Sequence, residues 1–155
     1  MKLIQCPEVY NGEDELTVFI GGGISNCPDW QKEMIARFKH IGDDLMLFNP
    51  RRTSFAIEDP AESDFQIEWE FSHLQCSDAM IFWFPFQTLC PITLFELGVY
   101  AALDVPIFVG CHPAYQRKFD VEKQLQLLRP DVTVHSSWEP LVEDVEKWYN
   151  VNRLL

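Results

Sequence analysis

Residues 79–84 read Ala-Met-Ile-Phe-Trp-Phe, apolar from end to end with no polar alternation. A strand of that kind has no face to give to water, so its sheet must be covered on both sides. The rest of the chain supplies the covering. Residues 16–20 form a second apolar strand that runs into Gly21-Gly22-Gly23, and Pro28 then opens a helix over 29–40 with Trp30, Met34 and Phe38 at four-residue spacing. A strand at 45–48 ends in Asn49-Pro50-Arg51-Arg52, followed by a polar loop through Asp59-Pro60 and a helix capped by Ser63 or Asp64 that continues to Cys76. Pro91 starts a helix through Leu103, residues 106–109 make a further buried strand, and 117–128 a helix. A short edge strand at 132–135 and an amphipathic helix at 139–152 close the chain. This alternation predicts an α/β fold: one domain over 1–155, a doubly wound flavodoxin- or Rossmann-like sheet of five mostly parallel strands with helices on both faces.

A chain of 155 residues with 47% hydrophobic content suits one such domain and leaves no room for two. No apolar run reaches the ~18 residues of a membrane span, and the opening MKLIQCPEVY breaks at Pro7 and Glu8 before a signal-peptide core could form. A cytoplasmic protein with no membrane partner is expected. The cysteines (Cys6, Cys27, Cys76, Cys90 and Cys111) are odd in number and widely spaced, without a C-x-x-C pair or histidines at zinc spacing, so they read as free thiols and no metal site is expected. A formal charge of -12 argues against a nucleic-acid polymer as partner, since phosphate backbones reward clustered Lys and Arg.

In doubly wound sheets ligands bind beyond the carboxyl ends of the strands, where the strand order reverses. The informative residues are therefore the glycine loop, Asn49 to Arg52, and the loops at 85–91 and 110–113. Two helices carry a carboxylate where a core side chain is expected. Glu96 interrupts a stripe read as Ile92, Val99 and Leu103, and Glu70 interrupts one read as Ile67, Phe71 and Leu74. Each either tips to the edge of its stripe, pairs with a buried base, or belongs to an active site, because an unpaired buried carboxylate costs several kcal/mol. Two carboxylates at one strand-end cleft suit glycosyl chemistry, one attacking or stabilising the anomeric carbon while the other handles protons.

Other features are less specific. GGGISN is not G-x-G-x-x-G, and no P-loop is present, so the glycines serve either a tight turn or close backbone approach to a sugar or base. His73 and His112 read as packing or surface residues, and Trp69, Phe82, Trp83 and Phe84 as core. Trp30 and Phe86 are the better stacking candidates.

The segments VFIGGGIS, FNPRR, QIEWEFSHLQCSDAMIFWFP and CPITLFELGVYAA together resemble the nucleoside 2-deoxyribosyltransferase family, over about residues 17–110. The resemblance implies a retaining double displacement in which Glu96, in the E-L-G segment, attacks C1′ of a 2′-deoxynucleoside and a free nucleobase then takes the sugar. It places the family's second acidic residue at Glu70, eight before Asp78, where relatives usually have Asp. Phe19 stands where better-known members keep a Tyr, and Cys90 where they keep the Asp that protonates the leaving base. The proton source is then Glu70, Glu68, Asp64 or water. Asn49, Arg51 and Gln66 are the candidate base contacts, with Gly21, Gly22, Gly23, Phe19, Trp30 and Cys90 around the sugar and base. No cofactor is implied. A homo-oligomer whose neighbouring subunit completes the site is implied, the 148–155 segment being one candidate contact. Alternatives are an N-glycosidase acting on a nucleoside, or on a nucleotide held by Arg51 and Arg52, a non-catalytic nucleoside-binding module, and a flavodoxin-like electron carrier.

Overall fold

The apolar run at 79–84 is β4 (Ala79–Phe84), every residue of it buried, in a wholly parallel sheet. The computed structural model describes residues 1–12, 15–53 and 59–153. Along the chain the elements are β1 (Lys2–Gln5), β2 (Leu16–Gly22), α1 (Trp30–Arg37), β3 (Leu45–Asn49), α2 (Pro60–Gln75) and β4. They continue as α3 (Pro91–Ala101), β5 (Ile107–Cys111), α4 (Lys118–Leu128), β6 (Val134–His135) and α5 (Trp138–Asn152). The sheet order is β1-β3-β2-β4-β5-β6. Two apolar layers sandwich it. Phe19, Phe48, Phe82 and Phe84 face Trp69, Leu97 and Leu125 of α2, α3 and α4, while Ile20, Leu47, Ile81 and Trp83 face Met34 and Val145 of α1 and α5. Each such aromatic or aliphatic side chain taken fully out of water contributes about 1.5–3 kcal/mol.

The expected doubly wound architecture is present, with one strand more than the five expected. β1 pairs with β3 at the sheet edge, Leu3 opposite Leu47 and Ile4 opposite Phe48. Four residues with Lys2 and Gln5 at the ends carry too little apolar pattern to read as a strand, and edge position lets half of them stay wet. Smaller corrections concern ends and faces. α2 begins a turn earlier than expected: Asp59, not Ser63 or Asp64, is its cap, accepting from Ala61 N–H at 2.9 Å, with Pro60 in the first turn. α1 ends at Arg37 rather than near His40. The stripe assigned to α3 faces outward and so does most of the one assigned to α2, for Ile67, Phe71, Ile92, Val99 and Leu103 are exposed while Leu74 is buried as expected. The buried faces are instead Trp69, His73 and Leu74 on α2, and Thr93, Leu97, Tyr100 and Ala101 on α3.

Two features position the ligand end of the sheet. The chain leaves β2 to one side for β3 and returns across it to β4, so the order reverses between β2 and β4, which lie side by side with Gly21 opposite Phe82 and Gly22 opposite Trp83. At the other end of this pair the Asp78 carboxylate accepts from both Thr17 N–H and Thr17 Oγ1–H at 2.8 Å, fixing where β4 starts against β2. Among the described residues no helix is long and apolar enough to cross a membrane. The terminal segment packs back on the sheet through Trp148, 6.1 Å from the Phe108 ring; Leu154 and Leu155 lie outside the described residues.

Candidate active site

A cavity of about 430 Å³ opens at the reversal between β2 and β4, the size of an ordinary small-molecule site. Its floor is the glycine loop, and packing explains the glycines. A Cβ on Gly22 would stand 2.2 Å from the Trp30 ring and 2.5 Å from the Trp83 carbonyl, and one on Gly23 would stand 2.7 Å from Thr88 Cγ2 and 2.9 Å from Cys90 Sγ. The loop is fastened from behind. Trp30 Nε1–H donates to Gly23 O at 2.8 Å and Gln31 Nε2–H to the same oxygen at 3.3 Å. Arg51 in turn donates to Gln31 Oε1, Pro28 O and Cys27 O, each at 3.0 Å.

Of the residues singled out in the sequence, Phe19, Gly21, Gly22, Gly23, Gln66, Glu70, Cys90 and Glu96 line this one cavity. Trp30, Asn49 and Arg51 do not. Trp30 and Arg51 hold the glycine loop in place, and the buried Asn49 accepts from Arg51 N–H at 3.1 Å in a local turn. Phe86 packs 4.6 Å from the His112 ring instead of entering the cavity. The lining also includes Arg52, which the sequence offered with Arg51 only as a phosphate holder, and Ser25, Ser63, Thr88 and Thr93, which sequence reasoning did not select as site residues. Arg52, beside the residue that was chosen, pairs with Glu62 at 2.6 Å and lies 5.9 Å over the Phe65 ring.

The two carboxylates arrive from different helices. On α3, Glu96 lies three residues after Thr93 and four before Tyr100, both buried, so the true apolar stripe does carry it to the inner edge where the cavity begins. On α2, Glu70 follows the buried Trp69 and precedes His73, whose ring stacks on Trp69 at 3.8 Å. Burial and the neighbouring Glu70 charge push Glu96 up to about 8, so it holds a proton at neutral pH. Glu70 is also raised by burial, and the amide of Gln66, donating to Glu70 Oε1 at 2.8 Å, works in the opposite direction. Both N–H groups of Gln66 are engaged, for its Nε2 also donates to Pro50 O at 2.8 Å, and its Oε1 accepts from the Cys6 thiol at 3.3 Å.

Cys90 occupies the strained point of the rim. It precedes α3 in the left-handed region, φ 50°, a conformation that costs a non-glycine residue roughly 1 kcal/mol. Burial pushes its thiol up to about 12, so it is neither a thiolate nor a competent proton donor. Among the described residues no three His, Cys, Asp or Glu side chains converge as metal ligands would.

A family profile described as "Nucleoside 2-deoxyribosyltransferase like" matches residues 15–115, which include the glycine loop, both carboxylates and Cys90. Among solved structures, one titled "Crystal structure of conserved protein from Enterococcus faecalis V583" superposes with a TM-score of 0.62 at 15% identity, covering 86% of this chain and 98% of that one, which establishes likeness of fold. No curated protein sequence matches. The profile spans most of the chain and includes every polar residue that lines the cavity, both carboxylates among them, so the chain belongs to the nucleoside 2-deoxyribosyltransferase-like family.

Proposed function

We propose that the cavity transfers a 2-deoxyribosyl group between nucleobases through a covalent intermediate on Glu96. In the first half-reaction a Glu96 carboxylate oxygen forms a bond to C1′ as the C1′–N bond breaks, its electron pair leaving with the base, which takes up a proton. In the second, a nitrogen of another base attacks C1′ and releases Glu96, giving net retention. The observation that carries this reading is the meeting of Glu70 and Glu96 in one cavity at the strand-order reversal, with Glu96 pushed far above an ordinary carboxyl. With Cys90 neutral, and Glu68 and Asp64 outside the cavity lining, Glu70 is the acid assigned to the departing base. Incubation with deoxyadenosine and cytosine is expected to yield deoxycytidine without added phosphate. Free deoxyribose accumulating in its place would establish the hydrolase, and no consumption of nucleoside would leave a binding module.

The site's open side supports assembly with a second copy. Ile67 and Ile92 line the cavity and are themselves exposed, and the outer surface of α3 beyond them carries Phe95, 71% exposed, and Val99, with no charge. A chain of net charge -12 meets its own copy most easily through an uncharged face, and such a contact would also keep water from the glycosyl intermediate. Phe95→Asp is expected to lower the sedimentation-derived mass to that of a monomer. A variant that sediments like the parent oligomer would remove α3 from the interface.

A further inference from the structure

The cavity holds two carboxyl groups but its chemistry, as proposed above, needs them in different protonation states. Something must distinguish them. Coulomb repulsion does not, because it acts equally on both. The distinction comes from hydrogen bonding, and only one of the pair has a side-chain donor of fixed direction.

That donor is Gln66. An amide side chain can usually turn over and exchange its oxygen for its nitrogen, but here both ends are spoken for. Its nitrogen faces two oxygens at 2.8 Å, the Pro50 carbonyl, which can only accept, and Glu70 Oε1, which can only accept when the carboxylate is ionised. Its oxygen faces the Cys6 thiol at 3.3 Å. Cys6 is buried at the end of the N-terminal edge strand, its thiol pushed up to about 11 by burial, so it remains a donor throughout the physiological range. Turned over, the amide would set oxygen against both the Pro50 carbonyl and the Glu70 carboxylate. Gln66 therefore always donates to Glu70.

We propose that Gln66, locked by Cys6 and the Pro50 carbonyl, is the positioning residue that decides which of the two carboxyls carries the pair's proton: before substrate binds it keeps Glu70 ionised and leaves the proton on Glu96. Substrate binding then has to reverse that placement before Glu96 can attack. Gln66 accordingly has no N–H left to read a base with, both being held by Pro50 O and Glu70. The other groups around the pair are Arg52 and Glu62, which reach Cys6 from the loop after β3 and from α2, Cys90 at the start of α3, and Tyr100, whose hydroxyl accepts from Gln75 at 3.1 Å. Among the described residues none of them donates a hydrogen bond to Glu96 or to the other oxygen of Glu70, so the asymmetry rests with Gln66.

This inference rests on the proposed function for its catalytic meaning, but its test does not need turnover. Glutamate labelled with ¹³C at the carboxyl carbon is followed by NMR through a pH titration of the full chain, with Glu70→Gln and Glu96→Gln assigning the two signals. Gln66→Met removes the donor and keeps the volume. Glu70 is then expected to titrate at higher pH than in the parent. Glu96, with a neutral neighbour, is expected to titrate lower by on the order of one pH unit, the scale on which a close like charge acts. Gln66→Glu restores one negative charge shared between positions 66 and 70, and is expected to leave Glu96 raised. A merely structural role for Gln66 moves both variants together. Unchanged titration of Glu70 and Glu96 in Gln66→Met, or the same displacement of Glu96 in both variants, overturns the proposal. Opposed behaviour of the two variants in a protein that performs no base exchange would uphold the proton placement and reject the transferase reading instead.

Discussion

Glu96→Ala is expected to lower base-exchange turnover by at least ~10³-fold while deoxynucleoside binding changes only a few-fold. A residue that forms the covalent bond acts in the transition state and little in the ground state, so its loss falls on kcat and not on the dissociation constant. Removing the carboxyl also only enlarges a cavity that is already of small-molecule size, which costs binding little. Initial rates of exchange and calorimetric binding on the same preparation separate the two quantities. Turnover comparable to the parent refutes the assignment of Glu96. A loss confined to binding would make it a recognition group.

The second large effect is on stability. In the folded chain Glu96 retains its proton up to about 8, against an ordinary value of 4.5. Between those two values the folded state binds more protons than the unfolded one, so stability present below the lower value is lost as pH rises through the upper one. The full interval corresponds to about 5 kcal/mol as an upper bound, and water entering the cavity reduces this to roughly 2–3 kcal/mol. Glu96→Gln cannot ionise. Its stability relative to the parent is expected to be close to equal at about pH 4.5, then to grow with pH and level off above about 8. Urea midpoints for both proteins across that range test it. A difference that stays constant with pH would show that Glu96 is not held protonated by the fold. Holding the proposed nucleophile at this cost fits the usual exchange of stability for function.

The carboxylates were legible in the sequence for a reason that turned out to be half right. Glu96 stood out because it broke an apolar stripe, yet the stripe first assigned, Ile92 with Val99 and Leu103, is the exposed one. α3 is apolar almost all round, with Ile92, Leu94, Phe95, Leu97, Val99 and Tyr100, so a period of 3.6 residues identifies a helix without saying which side of it is inward. The same ambiguity affected α2, where the exposed Phe71 competed with the buried Trp69 and His73. The outward apolar residues are the ones that the proposed assembly would cover.

The N-terminal strand shows a different limit. Lys2–Gln5 has no periodicity to detect, and its place in the sheet depends on β3 offering a free edge, which is a property of the other strands. Cys6 follows from it. Nothing local connects residue 6 to Gln66, 60 positions away, so the thiol that locks the amide was invisible before the fold was known.

The residues alone determined that the chain is a doubly wound α/β sheet and pointed to the loops after its strands, because a wholly apolar strand requires cover on both faces and the helix–strand alternation permits few topologies; that the cavity opens between β2 and β4 came from the strand order. They also determined that Glu70 and Glu96 belong together, since burial of a carboxylate demands an explanation wherever it occurs. Only the tertiary structure decided what each polar side chain does there. Arg51 turned back to hold the glycine loop while Arg52 entered the cavity, and Gln66 spent its amide on Glu70. Side-chain direction and hydrogen-bond partners arise from residues distant in sequence, and neither composition nor spacing encodes them.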